Sequence, residues 1–389
     1  MLISNQGQKI ETSKDWINIR RPEIIKLFEE HVYGRFPEVN LEVKFETLTT
    51  DSNALCGKAI QKNIAVYFIK NSDTIQMDLL IFIPANATKP VPLFLGINFY
   101  GNQSIHTDSN IPITRSYVID NPEYNIFNHT ANYKSRGSDA SSWPVERILE
   151  RGYGLATFCC GDIDPDFDDG FKNGIHSLLD YSEKDILNEL STISAWAFGL
   201  STAMDYLETD IDINKNQVVV IGHSRLGKTA LWAGANDQRF AIVISNNSGC
   251  AGAALSRRKV GETVKNINDG FPHWFSKNFH HFNDKENELP VDQHMLLALM
   301  APRPLYVASA EQDDWCDPKG EIVSLYHAGP AYHLFGLNGI PTDVLPQTNM
   351  RLWTGNLGYH IRSGGHNLAR FDWEQYLDFA DYHFNQKDK

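Results

Sequence analysis

The sequence predicts an α/β architecture, a three-layer sandwich in which helices flank a mainly parallel central sheet and loops are inserted around its carboxyl edge. Short β-branched runs alternate with helical patterns between residues 91 and 308, which implies crossover connections and parallel strands. One of these runs passes through a sharp glycine-flanked turn directly into a helix. Acidic and histidine candidates follow that turn along the chain.

The predicted elements follow in chain order. A helical pattern covers residues 16–32, and alternating runs at 65–69 and 77–83 predict antiparallel edge strands. The strands predicted after these are 91–99, 154–158, 217–222, 240–245 and 303–308. The helices predicted between and after them are 144–151, 185–207, 226–235 and 291–300.

The composition is that of one globular enzyme. The chain has 389 residues, with 42% hydrophobic and 21% charged. We expect a single catalytic domain over 1–389, with an N-terminal helix and edge strands in 1–85 and a catalytic core with insertions in 86–389. The net charge of -13 and the lack of a basic, aromatic-rich stretch argue against nucleic acid. No run has the ~18 apolar residues of a membrane span.

The cysteine spacing indicates whether a metal site is present, and the N-terminal residues indicate the cellular compartment. The five cysteines form no CxxC pair and no cluster with histidine at zinc-ligand spacing, so we expect no metal site. At least one thiol stays free or pairs with another molecule. Residues 1–16 show no secretory signal, which leaves two readings: a cytoplasmic protein, or one whose leader is absent from this sequence.

The candidate nucleophile is Ser224. The apolar run 217–221 ends in Gly-His-Ser-Arg-Leu-Gly at 222–227 and continues as a helical pattern. This is the order of a nucleophile elbow, in which Gly222 and Gly227 leave room for a strained serine, although the spacing is G-x-S-x-x-G. The alternative is that Ser224 only caps the helix. The sheet context favours catalysis and predicts an α/β-hydrolase fold.

A serine nucleophile requires donors for the oxyanion of its tetrahedral intermediate. The backbone N–H of Arg225 lies at the N-terminus of the predicted helix, where the helix dipole favours negative charge. We expect a second donor from the loop at 100–102, which follows the strand ending at Phe99.

The acid and the base are expected downstream of Ser224, in that order. The predicted strand 303–308 runs into an acidic loop, in which we choose Asp313. Two other acids of this loop have structural explanations. Asp314 could simply be exposed to solvent, and Asp317 precedes a proline, as the N-cap residue of a helix often does.

Two histidines compete for the role of base. His366 lies in a glycine-rich loop after a strand-like stretch, which is the usual place for the base of such a triad. His360 alternates with apolar neighbours and fits a strand residue with a satisfied hydrogen bond. We therefore favour His366.

Together these segments resemble the bacterial glucuronoyl esterases of carbohydrate esterase family 15. The resemblance spans about residues 90 to 375 and is carried by 143–147, 161–166, 222–228, 232–235, 248–258, 289–294, 301–304 and 358–362. It implies an enzyme without metal or organic cofactor that cleaves the ester between (4-O-methyl)glucuronic acid on xylan and an alcohol of lignin. It further implies a secreted or periplasmic monomer whose partners are glucuronoxylan and lignin-carbohydrate esters.

The resemblance also implies roles for single residues. Ser224 matches the nucleophile, His366 the base and Arg225 an oxyanion-stabilising residue. Positions that contact the sugar are matched by Lys228, Glu262 and Trp315.

One position departs from the family pattern. Many members carry the glutamate of the triad where this chain has Asn247, and an amide cannot carry the charge that stabilises an imidazolium. Other members draw the acid from the later loop, where this chain has Asp313. Two alternatives stay open: an acetyl-xylan esterase or general carboxylesterase of the same fold, and a catalytically weakened protein that binds acidic xylan.

Overall fold

The computed structural model describes residues 1–35, 41–179 and 190–385. The strands are β1 Glu42–Asn53, β2 Ala59–Lys70, β3 Asp73–Pro84, β4 Val91–Asn98, β5 Gly154–Cys159, β6 Ile213–His223, β7 Ile242–Asn246, β8 Leu305–Ala310, β9 Met350–Thr354 and β10 Leu357–Arg362. The helices are α1 Ser13–Asp15, α2 Arg21–Phe28, α3 Ala54–Gly57, α4 Val145–Glu150, α5 Thr192–Leu207, α6 Arg225–Asn236, α7 Val264–Gly270, α8 Gln293–Ala298, α9 Pro318–His333 and α10 Arg370–Asn385.

The chain divides into two compact units. The first comprises Met1–Arg35, Ser182–Ser194 and Ile221–Lys389, and the second comprises Phe36–Tyr181 and Ala195–Val220. The expectation of one catalytic domain over 1–389 stays a prediction.

The second unit contains the strands β1-β2-β3-β5-β4 in this order, followed by β6 up to Val220. β1, β2 and β3 form an antiparallel set, as predicted for the edge of the sheet, whereas β4 and β5 are parallel. β1 was not predicted. Apolar alternation is limited to Leu41, Val43 and Phe45, and most of the remaining residues are polar and exposed, so the pattern is too short to predict a strand of this length.

The first unit contains strands in the order β7-β8-β10-β9. β7 and β10 both run parallel to β8, and Leu305 of β8 is paired with Val243 on one side and Leu357 on the other. β9 is antiparallel to β10 at the edge. Because β7, β8 and β10 share one direction, the loops that follow them lie at the same edge of the sheet.

The N-terminal helical segment belongs to the first unit. Helical turns run from α1 through π-helical Trp16–Arg20, α2 and π-helical Glu29–Tyr33. Tyr33 stacks on Trp232 of α6 with 4.7 Å between ring centroids, and its hydroxyl donates to Ala251 O at 2.6 Å. Tyr33, at the end of this helical segment, therefore supports the helix that follows Ser224.

The other predicted elements agree in type, with shifted ends. The predicted helix 226–235 is α6, and the predicted strand 217–222 is part of β6. Of the predicted helix 185–207, residues 185–189 lie outside the described residues, and its described part is α5. Within the described ranges, no helix combines the length and apolar character needed to cross a membrane.

Candidate active site

Ser224 lies at a strained turn between β6 and α6. Its backbone has φ 58° and ψ -129°, a conformation that non-glycine residues rarely adopt. A Cβ on Gly222 would lie 1.9 Å from Leu226 O, so the turn tolerates no side chain there. The Ser224 N–H donates to Asn246 O at 2.9 Å, which ties the turn to the end of β7. The turn thus has the geometry of a nucleophile elbow.

Three side chains of the first unit form a hydrogen-bonded line. His366 Nε2 lies 2.8 Å from Ser224 Oγ, and His366 Nδ1 lies 2.6 Å from Asp313 Oδ2. In a neutral histidine with its proton on Nδ1, Nδ1–H donates to the carboxylate while Nε2 accepts from the serine hydroxyl. This arrangement lets the imidazole take the serine proton.

Asp313 is buried and is held as a carboxylate. Its burial raises the pKa, but the hydrogen bond and charge of His366, with a further hydrogen bond from Asn247, outweigh that effect and lower it. Asn247 Nδ2 donates to Asp313 Oδ2 at 2.8 Å. The residue that departs from the family pattern thus acts as a hydrogen-bond donor to the acid.

The competing candidates have other environments. Asp314 is exposed, and the Asp317 carboxylate accepts from Gly320 N at 2.9 Å at the start of α9, as an N-cap does. His360 is fully buried, with Nε2 2.7 Å from Asp372 Oδ1 and Nδ1 3.0 Å from the Tyr306 hydroxyl. It is a satisfied strand residue, as its alternation predicted.

A second histidine packs against the candidate base. The rings of His223 and His366 have centroids 4.7 Å apart, and His223 Nδ1 lies 2.7 Å from Asn246 Oδ1. Burial, followed by the charge of His366, lowers the pKa of His223 to about 3. His223 therefore stays neutral and limits where the His366 ring can lie.

Cys316 lies beside the same pair. Its thiol donates to Asn247 O at 3.3 Å, and its Sγ lies 3.6 Å from His366 Nδ1. Burial raises the pKa of this thiol, and the charges of Glu321 and Asp313 raise it further. All five cysteines lie in the described ranges and are free thiols.

The Arg225 side chain packs on two aromatic residues from the segment at 262–290. Its Cζ lies 4.4 Å from the Trp274 ring centroid and 5.2 Å from that of Phe271. The two rings are parallel, with centroids 3.7 Å apart. Lys228 Nζ lies 6.0 Å from the Trp274 centroid. One buried indole thus contacts both cations of the nucleophile helix.

We expect Trp274→Leu to lower kcat for ester hydrolysis by about tenfold, because a desolvated cation–π contact contributes about 1–2 kcal/mol to the placement of Arg225. KM should change little, since Arg225 is expected to act on charge that develops in the transition state. Steady-state kinetics of Trp274→Leu beside Trp274→Phe, which keeps a ring face, measures this. Equal kcat values for Trp274→Leu and wild type would show that the indole has only a packing role.

The three predicted sugar-contacting residues have distinct surroundings. Lys228 is buried, and its Nζ donates to Ser248 O at 2.6 Å. Glu262 N–H donates to Trp315 O at 2.9 Å, which sets these two residues side by side. The Trp315 side chain is 54% exposed, which leaves a ring face available to a ligand.

Beneath the site lies a buried carboxyl group that the sequence did not reveal. Glu321 of α9 accepts hydrogen bonds from the backbone N–H groups of Ser248 and Gly249, each at 2.9 Å, and from the Ser309 hydroxyl. These bonds hold the turn that carries Asn247. Burial raises the pKa of Glu321 to about 8.

The raised pKa of Glu321 predicts a pH-dependent stability difference. The unfolded chain loses this proton near the ordinary glutamate pKa, whereas the folded chain keeps it up to about pH 8. The stability that the protonated carboxyl contributes is therefore complete below the ordinary glutamate pKa and is lost as the pH rises from there to about 8. Between about pH 5 and pH 9, wild type should lose on the order of 3 kcal/mol relative to Glu321→Gln, whose amide resembles the protonated carboxyl.

Urea unfolding of wild type and Glu321→Gln at both pH values measures the difference. Glu288→Gln, which changes an exposed glutamate of the same unit, is the control and should follow wild type. If the free energies of unfolding of wild type and Glu321→Gln changed by the same amount between the two pH values, the expected titration of Glu321 would be contradicted.

The loop predicted to supply a second oxyanion donor belongs to the second unit. Its Gly101 N–H donates to Asn98 Oδ1 at 2.8 Å, and Asn102 Nδ2 donates to Asp78 O at 2.7 Å. A donor from residues 100–102 stays a prediction.

Comparison with known proteins gives consistent results. The family model for fungal glucuronyl esterase matches residues 181–336. A carbohydrate esterase, MZ0003, from an unknown prokaryotic organism is 48% identical over 386 residues, which cover 98% of this chain and 88% of that protein.

Solved structures agree with the sequence relatives. A promiscuous esterase of carbohydrate esterase family 15 from a marine bacterial metagenome superposes with a TM-score of 0.93 at 47% identity, covering 98% of this chain and 96% of that chain. The glucuronoyl esterase from Solibacter usitatus superposes with a TM-score of 0.92 at 44% identity, covering 98% and 97%. The predicted α/β-hydrolase fold and the predicted family resemblance are confirmed.

Proposed function

This chain belongs to carbohydrate esterase family 15 and is a carboxylic ester hydrolase, and from that premise we propose that it cleaves the ester between (4-O-methyl)glucuronic acid on xylan and lignin-type alcohols. The observation that carries the proposal is the hydrogen-bonded line from Ser224 through His366 to Asp313, at 2.8 Å and 2.6 Å.

In the proposed acylation step, His366 Nε2 removes the hydroxyl proton as Ser224 Oγ attacks the uronoyl carbonyl carbon. Asp313 orients the imidazole and stabilises the imidazolium. The Arg225 side chain and its backbone N–H hold the oxyanion. When the tetrahedral intermediate collapses, the carbon–oxygen bond to the alcohol breaks, and the alcohol leaves with the proton from Nε2.

Deacylation repeats the sequence with water. His366 takes a proton from the water that attacks the glucuronoyl-enzyme, and the second tetrahedral intermediate releases glucuronate and returns the proton to Ser224. No step requires a cofactor.

The sugar side of the site is proposed to consist of Lys228, Glu262 and Trp315. Trp315 offers its exposed ring face to a pyranose, and the Glu262 carboxylate accepts from sugar hydroxyls. Burial raises the pKa of the Cys250 thiol, the Glu262 carboxylate raises it further and the Lys228 ammonium lowers it, which supports a position for both charges near this thiol.

The test compares kcat/KM for benzyl glucuronate with that for an acetylated sugar. A glucuronoyl esterase should prefer the glucuronate by at least about tenfold, because only that substrate carries the sugar on the acyl side of the ester, where the sugar contacts are proposed. Glu262→Gln should reduce the preference by lowering the glucuronate value alone, while Glu288→Gln should leave both values unchanged. Equal values for the two substrates would overturn the proposed specificity.

A second candidate is general carboxylesterase activity, including acetyl-xylan esterase activity. It is favoured by the 47% identical structural neighbour from a marine bacterial metagenome, which is described as a promiscuous esterase. Comparable turnover of uronate, acetate and simple alkyl esters would support it. Binding of glucuronoxylan without turnover of any ester would instead support the weakened binder.

A further inference from the structure

We propose that Asp313, Cys316 and His366 also form an inhibitory binding site for a thiophilic divalent cation, with Zn²⁺ as the reference ion. Among residues 1–35, 41–179 and 190–385, these three supply a carboxylate oxygen, a thiol sulfur and an imidazole nitrogen within 4.8 Å of one another. Oxygen, sulfur and nitrogen donors are the ligand types that Zn²⁺ binds in proteins. The cysteine spacing in the sequence gives no sign of this cluster because the histidine lies far along the chain.

The distances are close to those of a tetrahedral zinc site. Ordinary Zn–S and Zn–N bond lengths place sulfur and nitrogen about 3.5 Å apart, and Cys316 Sγ lies 3.6 Å from His366 Nδ1. Asp313 Oδ2 lies 2.6 Å from the same nitrogen and would have to move by about 0.8 Å. Carboxylate rotation accommodates a shift of that size.

Neighbouring groups favour a cation at this place. Among the side chains that the structure describes, Asn247 Oδ1 is a buried acceptor without a hydrogen-bond partner, on the same amide that bonds Asp313. A cation would offer this oxygen an electrostatic partner. The His366 side chain is 40% exposed, which gives an ion a path to the other two donors.

Binding changes the proton positions in a defined way. The Cys316 thiol releases its proton to solvent, and the ion takes the lone pair of His366 Nδ1. The imidazole proton therefore resides on Nε2 instead of Nδ1. An Nε2 that carries a proton cannot accept one from Ser224, so the ion blocks the base without contacting the serine.

The inhibition rests on the proposed roles of Ser224 and His366, whereas binding of the ion does not. The experiment therefore has two readouts. The first is ester hydrolysis at increasing Zn²⁺, with recovery by a chelator. The second is the absorption of the Co²⁺ adduct, in which a cobalt–thiolate bond produces a charge-transfer band that oxygen and nitrogen ligands do not. Both are applied to wild type, Cys316→Ser and Cys56→Ser.

Wild type and Cys56→Ser are expected to show the charge-transfer band, one Co²⁺ per chain and reversible inhibition by Zn²⁺. Cys316→Ser keeps a hydroxyl that can donate to Asn247 O, and it should lose the band and require at least about tenfold more Zn²⁺ for half-inhibition. Wild type without the band, or Cys316→Ser with unchanged zinc sensitivity, would overturn the proposal. If the glucuronoyl esterase assignment fails because no ester is hydrolysed, the cobalt band still decides whether the site binds metal.

Discussion

Ser224→Ala is expected to lower kcat for benzyl glucuronate by about 10⁵-fold or more, because it removes the attacking oxygen and leaves only binding and oxyanion stabilisation. The affinity for the ester should change by less than about threefold, since the hydroxyl contributes to reaction and not to substrate placement. Single-turnover kinetics and calorimetric titration of the unreacted ester measure the two effects separately.

The control for Ser224→Ala is Ser363→Ala, which removes an exposed hydroxyl near the His366 loop. It should retain wild-type kcat. If Ser224→Ala retained the turnover of wild type, the nucleophile assignment would be wrong, and if wild type itself bound glucuronoxylan without turnover, the chain would be a binding protein.

Asp313→Asn is expected to lower kcat by about 10³- to 10⁴-fold. A neutral amide cannot stabilise the imidazolium, and its NH₂ group can force the His366 proton onto Nε2. The effect on KM should be small. Asp314→Asn, which changes the exposed neighbour, is the matched control and should behave as wild type.

A second variant tests whether the charge or the position is essential. In the Asp313→Asn background, Asn247→Glu restores a carboxylate at the position where the family resemblance implies an acid in many members. The double variant should have a kcat at least about tenfold higher than that of Asp313→Asn. Recovery would support the electrostatic role of Asp313, whereas an Asp313→Asn variant with wild-type kcat would refute it.

The sequence predicted those features that depend on local pattern. β6, the turn at Ser224 and α6 are contiguous, so β-branched residues, glycines and helical periodicity are sufficient to indicate them. His366 and Asp313 each follow a predicted strand or strand-like stretch, and the structure brings both within hydrogen-bond distance of their partners.

The features that the sequence missed depend on distant contacts. Trp274 contacts Arg225, which lies 49 positions away in the sequence, and Glu321 contacts Ser248, which lies 73 positions away. Neither pair produces a periodic pattern in the sequence. A buried glutamate looks like any helical glutamate until the backbone N–H groups that it accepts from are known. Cys316 likewise meets Asn247 and His366 only because β8 pairs with β7 on one side and with β10 on the other.

The 2.8 Å contact between Asn247 and Asp313 limits which side chains these two neighbouring loops can carry together. Carboxylates at both positions would place two like charges within hydrogen-bond distance, which raises the pKa of one of them and leaves it protonated. The amide at position 247 avoids this repulsion and supplies a hydrogen-bond donor instead. The two loops together therefore accommodate one ionised carboxylate, which in this chain is that of Asp313.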